Sequence, residues 1–232
     1  MNKRAYFDWN ATAPLREVSK AAMTQAMSNF GNPSSIHTEG RKAKAIIETA
    51  RIQIAEAFGA GNSDIIFTSG ATEAAAIALR TREIECAGVE HPCILSNCVE
   101  NLSTDGNGQI LISKAQCSTM QSANSETGIL QNIPAGVFLS DFVQSFGKIP
   151  SSFDWSDVMS GILSAHKIGG PKGVGALVIR SDIEVYDLLK QKQKDGEDIG
   201  MFGESYLRMI EVERSSNTKE VHVSFVEKKE ND

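Results

Sequence analysis

Four glycines and one proline crowd into Gly169-Gly170-Pro171-Lys172-Gly173-Val174-Gly175, between apolar runs at 158–163 and 175–179. No regular element passes through such a stretch, because glycine raises the entropy cost of ordering the backbone and proline removes a hydrogen-bond donor. The chain must turn there, which makes the two flanking runs separate segments. The approach to the turn, Ser164-Ala165-His166-Lys167, sets one lysine between small polar residues and the glycine-rich exit. A lysine amine attacks an aldehyde only when deprotonated, so a lysine presented this way, with room for a flat ligand, suits Schiff-base chemistry. An ordinary loop lysine stays open on these residues alone, since glycine clusters mark many turns and Lys172 carries the same charge close by.

The 232 residues, 41% of them hydrophobic, are enough for one large domain or a domain with a fragment attached. A formal net charge of -6 argues against a general nucleic-acid surface or anionic-membrane surface and points to a small molecule or a protein as partner. No apolar run reaches the ~20 residues of a membrane span, and the acidic Asp8 stands where a signal peptide would be apolar, so a cytoplasmic protein is expected. Cys86, Cys93, Cys98 and Cys117 form no C-x-x-C pair and have only His91 nearby; reduced, mostly buried thiols are expected and no metal site.

Residues 14–30 carry a helical pattern that breaks at Gly31-Asn32-Pro33. A second helix is expected to start near Ser34 or Ser35 and close at Gly59, with Ile36, Gly40, Ala43, Ile47, Ala50, Ile54 and Phe58 on its apolar face and Lys42, Lys44, Glu48 and Arg51 opposite. Residues 64–68 read as a buried strand, followed by Ser69-Gly70-Ala71-Thr72-Glu73 opening an alanine-rich helix. Further apolar runs at 84–89, 109–112, 135–139, 158–163 and 175–179 alternate with turns and short helical stretches, the pattern of an α/β sheet. After Arg180 the chain turns polar and charged, with one alternating segment at 221–226 and a tail at 227–232 expected to fray.

Several of these places suit chemistry. The strand, glycine turn and helix start around Ala71 and Thr72 would aim backbone N–H groups and a hydroxyl at an anion such as a phosphate, although Ser69 or Thr72 serving only as a helix cap is the alternative. Asp141 follows the run at 135–139, at the carboxyl edge of an expected strand where ligands collect, and could hold a pyridinium nitrogen protonated. Gln144, three residues on, could face the same way. His91, fixed by Pro92, could present its ring to a planar ligand or shuttle protons, and Asn124 lies in a polar turn, 122–128, able to set an amide against a ring hydroxyl.

Seven stretches in register resemble the cysteine desulfurases, pyridoxal 5'-phosphate (PLP) enzymes of the aminotransferase class V group with fold type I architecture. They are Tyr6-Phe7-Asp8-Trp9-Asn10-Ala11-Thr12, Phe30-Gly31-Asn32-Pro33-Ser34-Ser35-Ile36-His37, Phe67-Thr68-Ser69-Gly70-Ala71-Thr72-Glu73-Ala74, Glu90-His91-Pro92, Asn124-Ser125-Glu126-Thr127-Gly128, Asp141 with Gln144, and Ser164 through Gly175. The resemblance runs from about Tyr6 to Arg180. It implies a PLP-binding fold type I large domain over 1–180, with an N-terminal arm and a mainly parallel sheet flanked by helices, and a truncated small domain over 181–232. It also implies the residue roles. Lys167 is the Schiff-base lysine, and His91 stacks on the pyridine ring and assists proton transfer. Asp141 pairs with the ring nitrogen, and Asn124 and Gln144 stand on the ring's hydroxyl side. Thr72, Ser164 and His166 hold the phosphate with the amide of Ala71.

The implied activity is conversion of L-cysteine to L-alanine in a homodimer, with sulfur passed through an enzyme thiol to an acceptor protein for iron-sulfur cluster or thio-cofactor assembly. The sequence departs from the family's pattern in places. The attacking thiol is expected well beyond the lysine, yet no cysteine follows Cys117; neither Arg208 nor Arg214 sits in the family's substrate-carboxylate motif; and the segment 195–203 lacks the threonine expected after its glycine. The spacing from His91 to Asn124 is also tight. Residues 129–140 are too few for a strand together with a crossover helix, which takes ~10–12 residues or more for the whole connection. Two further readings therefore stand beside the first: another PLP enzyme of the group, such as a cysteine or selenocysteine lyase or a transaminase-like protein, or a truncated, inactive chain acting as a partner subunit.

Overall fold

The computed structural model describes residues 5–80 and 83–180. They fall in the first of two compact units, Met1–Ile183; the second, Glu184–Asp232, together with the small domain expected over 181–232, lies outside the described residues.

A five-stranded sheet forms the centre, in the order β1-β7-β6-β5-β4, from β1 (Ser63–Thr68), β4 (Thr119–Gln121), β5 (Leu139–Asp141), β6 (Ser160–Ser164) and β7 (Gly175–Arg180). β4, β5 and β6 pair in parallel, while β7 runs against both β6 and β1. The glycine-rich turn after Lys167 explains that reversal, since it returns the chain directly beside β6 with no crossover helix. Beyond the β4 edge, β2 (Glu85–Ala87) and β3 (Val99–Leu102) make a small parallel pair, tied to the main sheet by a bridge from Glu85 to Ser118. The fold is the expected α/β type, a mainly parallel sheet flanked by helices.

The helices are α1 (Glu17–Met27), α2 (Thr38–Phe58), α3 (Ala71–Leu79) and the single turns α4 (Pro92–Leu95) and α5 (Phe153–Ser156). α2 starts three or four residues later than the sequence pattern suggests because the His37 side chain caps it, accepting the Gly40 N–H at 3.3 Å. It ends on Gly59 in the left-handed conformation, φ 59°, the geometry in which glycine closes a helix without a Cβ penalty. Phe58 then drops into the core and meets Phe142, Phe146 and Phe153 at centroid distances of 4.9, 5.0 and 5.7 Å. These contacts hold α2 against the loop that follows β5.

Four expectations shift. Arg51 does not face solvent: its guanidinium donates to the Ile65 carbonyl, stacks over Phe67 and pairs with Glu48, so it pins α2 to β1. Ile36 lies outside the helix and is 91% exposed. The run at 109–112 forms only a bridge from Thr104 to Ile110, with the Ile110 N–H donating to the Gln131 side chain in place of a strand. The run at 135–139 is mostly loop, so that strand β5 begins at Leu139 and Asp141 is its last residue. Between β4 and β5 the chain crosses over through residues 122–138 with no helix. No helix of the described residues is long and apolar enough to cross a membrane.

Candidate active site

One cavity of about 570 Å³ opens at the carboxyl ends of β4, β5 and β6, with Gln121, Asp141 and Ser164 along its wall. This is where an α/β sheet gathers ligands. On another side it meets the start of α3. Gly70 caps that helix in an extended conformation, and Gly175 of β7 lies so close beneath it that a Cβ would fall 2.6 Å from the Gly70 Cα. The missing side chain lets the helix N-terminus sit against the sheet. The Ala71, Thr72 and Glu73 amides have no partner within the helix, and the Glu73 carboxylate folds back to accept the Ser69 N–H, which leaves Ala71 and Thr72 on the cavity wall. Lys167, Lys172 and His166 line the same cavity.

Lys167 lies in the short 3-10 turn that follows β6, and its Nζ donates to the carbonyls of Asn10 and Ala11 at 2.5 and 2.9 Å. Burial lowers its pKa from the usual 10.5, opposed by the negative charges of Asp141, Asp8 and Glu126. Burial likewise lowers His166, with Lys167, Lys172 and Lys148 adding to the effect. Asp141 is pushed up by burial and held back by the Val143 N–H, which its Oδ1 accepts at 2.8 Å, and by His91 and Lys167. Behind it sits Glu90, 4% exposed, raised to about 8 by burial and by the Asp141 charge. Its Oε1 accepts the Gln121 N–H at 2.8 Å; Oε2 has no partner among the described residues.

The aminotransferase class-V family model matches residues 5–99 and 97–189. The chain belongs to that family. Its similarity is to cysteine desulfurases: it is 33% identical over 261 residues to the Cysteine desulfurase of Trichormus azollae, covering 97% of this chain and 65% of that one. It is 32% identical over 282 residues to Cysteine desulfurase IscS of Dictyoglomus turgidum, covering 100% of this chain and 72% of the relative. Among solved structures, the NifS-like protein from Rickettsia africae ESF-5 superposes with a TM-score of 0.70 at 31% identity, over 79% of this chain and 60% of that one. The chain thus spans less than two thirds of the length of the Trichormus relative.

The family is PLP-dependent, and the residues that the sequence motifs single out converge. Ala71, Thr72, His91, Asp141, Gln144, Ser164, His166 and Lys167 all line the one cavity. Asn124 is set differently. Its neighbours Ala123 and Ser125 line the cavity, while its own Oδ1 accepts the Glu126 and Thr127 N–H groups and the Thr127 hydroxyl, and its Nδ2 donates to the Val89 carbonyl. In this structure Asn124 shapes the turn. Gln144 donates from Nε2 to the Asn10 carbonyl at 2.9 Å and accepts from Lys148 Nζ at 2.5 Å. Lys148 carries no motif of its own; the signal is its place four residues after Gln144. The arm enters the site too, as His166 Nδ1 lies 3.1 Å from the Thr12 hydroxyl and the Ala13 N–H donates to the His166 carbonyl. Cys93 also lines the cavity, beside His91, and only the fold brings its thiol there.

Proposed function

We propose that this chain binds PLP at Lys167 and acts, in the manner of a cysteine desulfurase, on L-cysteine or a related amino acid. One observation carries the reading: a single cavity joins a partly desolvated lysine, a half-buried carboxyl group and an open helix N-terminus. These match the aldehyde, the ring nitrogen and the phosphate of the cofactor. The glycine pair that lets α3 approach the sheet fits a phosphate at its first turn, held by the Ala71 and Thr72 amides and the Thr72 hydroxyl, with the Lys172 charge and the His166 ring on the same cavity wall.

When bound, PLP supplies an electron sink for the carbanion that forms on the substrate. The protein's part is to place charge and protons. With its pKa lowered by burial, Lys167 reaches the neutral, nucleophilic amine at lower pH than a solvated lysine, and once released it can take or return a proton at the substrate carbon. Asp141 sets a carboxyl group where a ring N–H needs an acceptor; burial raises it, and the Val143 N–H, His91 and Lys167 oppose that rise. His91 offers a flat ring at the cavity wall, and Gln144 turns its amide toward the arm.

The same reading includes transfer of the substrate sulfur to an acceptor protein for iron-sulfur cluster or thio-cofactor assembly, and a homodimer. Phe7, Phe30 and Ile36, at 87%, 90% and 91% exposure, support a covering second copy near the arm. A second reading, a lyase of the same group, is favoured by the thiols: burial raises Cys86, and pushes Cys93 and Cys98 up to about 12, which leaves them poor sulfur acceptors at neutral pH. It predicts sulfide release from cysteine without a protein-bound persulfide.

The cofactor assignment is tested by titrating the purified protein with PLP. A visible absorbance band that Lys167→Ala lacks is the expected result, and identical spectra for the two proteins would overturn it. Alanine and sulfide formed from cysteine, measured separately, test the activity.

A further inference from the structure

His91 is the N-cap of α4, and its Nδ1 lies 3.2 Å from the Cys93 backbone nitrogen and 3.0 Å from the Cys93 Sγ. A backbone amide can only donate, so Nδ1 meets it with a lone pair and carries no proton of its own. The thiol beside it must then be a donor as well. Burial together with the charges of Asp141 and Glu90 pushes that thiol up to about 12, which keeps it protonated and able to donate. Pro92, between the two residues, restricts the backbone that sets this geometry.

We propose that Cys93 is a positioning residue that holds His91 in the tautomer bearing its proton on Nε2, through two donors aimed at Nδ1. Which ring nitrogen is protonated follows from the hydrogen bond that the other one makes. Here the lock leaves Nε2–H as the only donor of the ring, on the far side from α4, and His91 lines the cavity. The neutral ring therefore begins as a proton donor at Nε2 rather than as a base there. A proton added at Nδ1 would face the Cys93 amide and thiol hydrogens. What the Nε2–H meets in the cavity rests on the PLP reading; the tautomer itself does not.

The test uses the cofactor-free full chain, labelled with ¹⁵N, and long-range ¹H–¹⁵N spectra at mildly alkaline pH, with His91 assigned from His91→Gln. The expected pattern is an unprotonated Nδ1 and a protonated Nε2 in the wild type. Cys93→Ser, which keeps a donor, should retain it, and Cys93→Ala should lower the ratio of Nε2–H to Nδ1–H forms several-fold. A protonated Nδ1 in the wild type, or a Cys93→Ala spectrum that matches the wild type, would overturn the proposal. Since no cofactor is present, failure of PLP binding would leave this result standing, and the wild-type spectrum decides even where a variant fails to fold.

Discussion

The sheet and the N-terminal segments bury their apolar residues to very different degrees. β6 is buried at every position and β7 at all but its last, whereas α1 buries none of its residues and the 21-residue α2 buries only Gly40 and Phe58. Both regions supply the cavity: Asp141, Ser164 and Lys167 come from the sheet and the turn after it, while Asn10 and Ala11 reach Lys167 from the arm. The floor of the site therefore rests on packing that the described residues complete among themselves. The arm is held mainly by hydrogen bonds, such as the Arg16 N–H to the Gly169 carbonyl at 2.9 Å.

The largest effect on that division is expected at Phe58, the one large side chain of α2 that is fully buried. Phe58→Ala should cost about 3–5 kcal/mol, the scale for deleting a buried phenylalanine, as read from denaturant unfolding. A loss below about 1 kcal/mol would mean that the aromatic cluster does not join the two regions.

The site was legible where local chemistry decides it. The Gly169 to Gly175 stretch forces a turn whatever surrounds it, and Ser69-Gly70 before an alanine-rich run opens a helix by the same local logic. What resisted reading depends on distant partners. β4 and β3 are short strands, three and four residues, recognised only by what they pair with, and β5 begins at Leu139 because its register answers to Thr119 and Ser160, not to its own apolar run. Arg51 looks like a solvated charge along the helix, yet its long side chain reaches the open Ile65 carbonyl across the gap to β1. Asn124 is the subtlest case. Its residue type suits a ligand or a turn equally, and only the neighbouring N–H groups of Glu126 and Thr127 show that the turn has claimed its oxygen. Residues 129–140 are legible for the opposite reason, since chain length alone limits what a crossover can contain.

Glu90 belongs to the buried side of that division. Its folded pKa of about 8 lies above the ordinary 4.5, so the folded chain retains a proton that the unfolded chain releases, and stability falls as pH rises between those values. Glu90→Gln removes that proton. The variant should gain on the wild type across this window and lead it by on the order of 1–3 kcal/mol once Glu90 is ionised, the scale of a poorly paired buried polar group. Unfolding of both proteins over a pH series measures it; parallel stability profiles would show that Glu90 does not hold its proton in the folded chain.

The arm side predicts the smallest effect. Phe30 and Ile36 already face water in the described residues, so replacing both with serine removes little burial, and the stability of the single chain should change by no more than about 0.5 kcal/mol. Self-association should respond instead. If these side chains are covered by a second copy, the double variant should sediment as a smaller species than the wild type at the same concentration, while its PLP band persists because the sheet-borne groups are untouched. Loss of the band along with association would show that a partner completes the cofactor site. Unchanged association would mean that these apolar residues do not serve the dimer. A stability loss of several kcal/mol would contradict the comparison itself, since exposed side chains have no such contribution to lose.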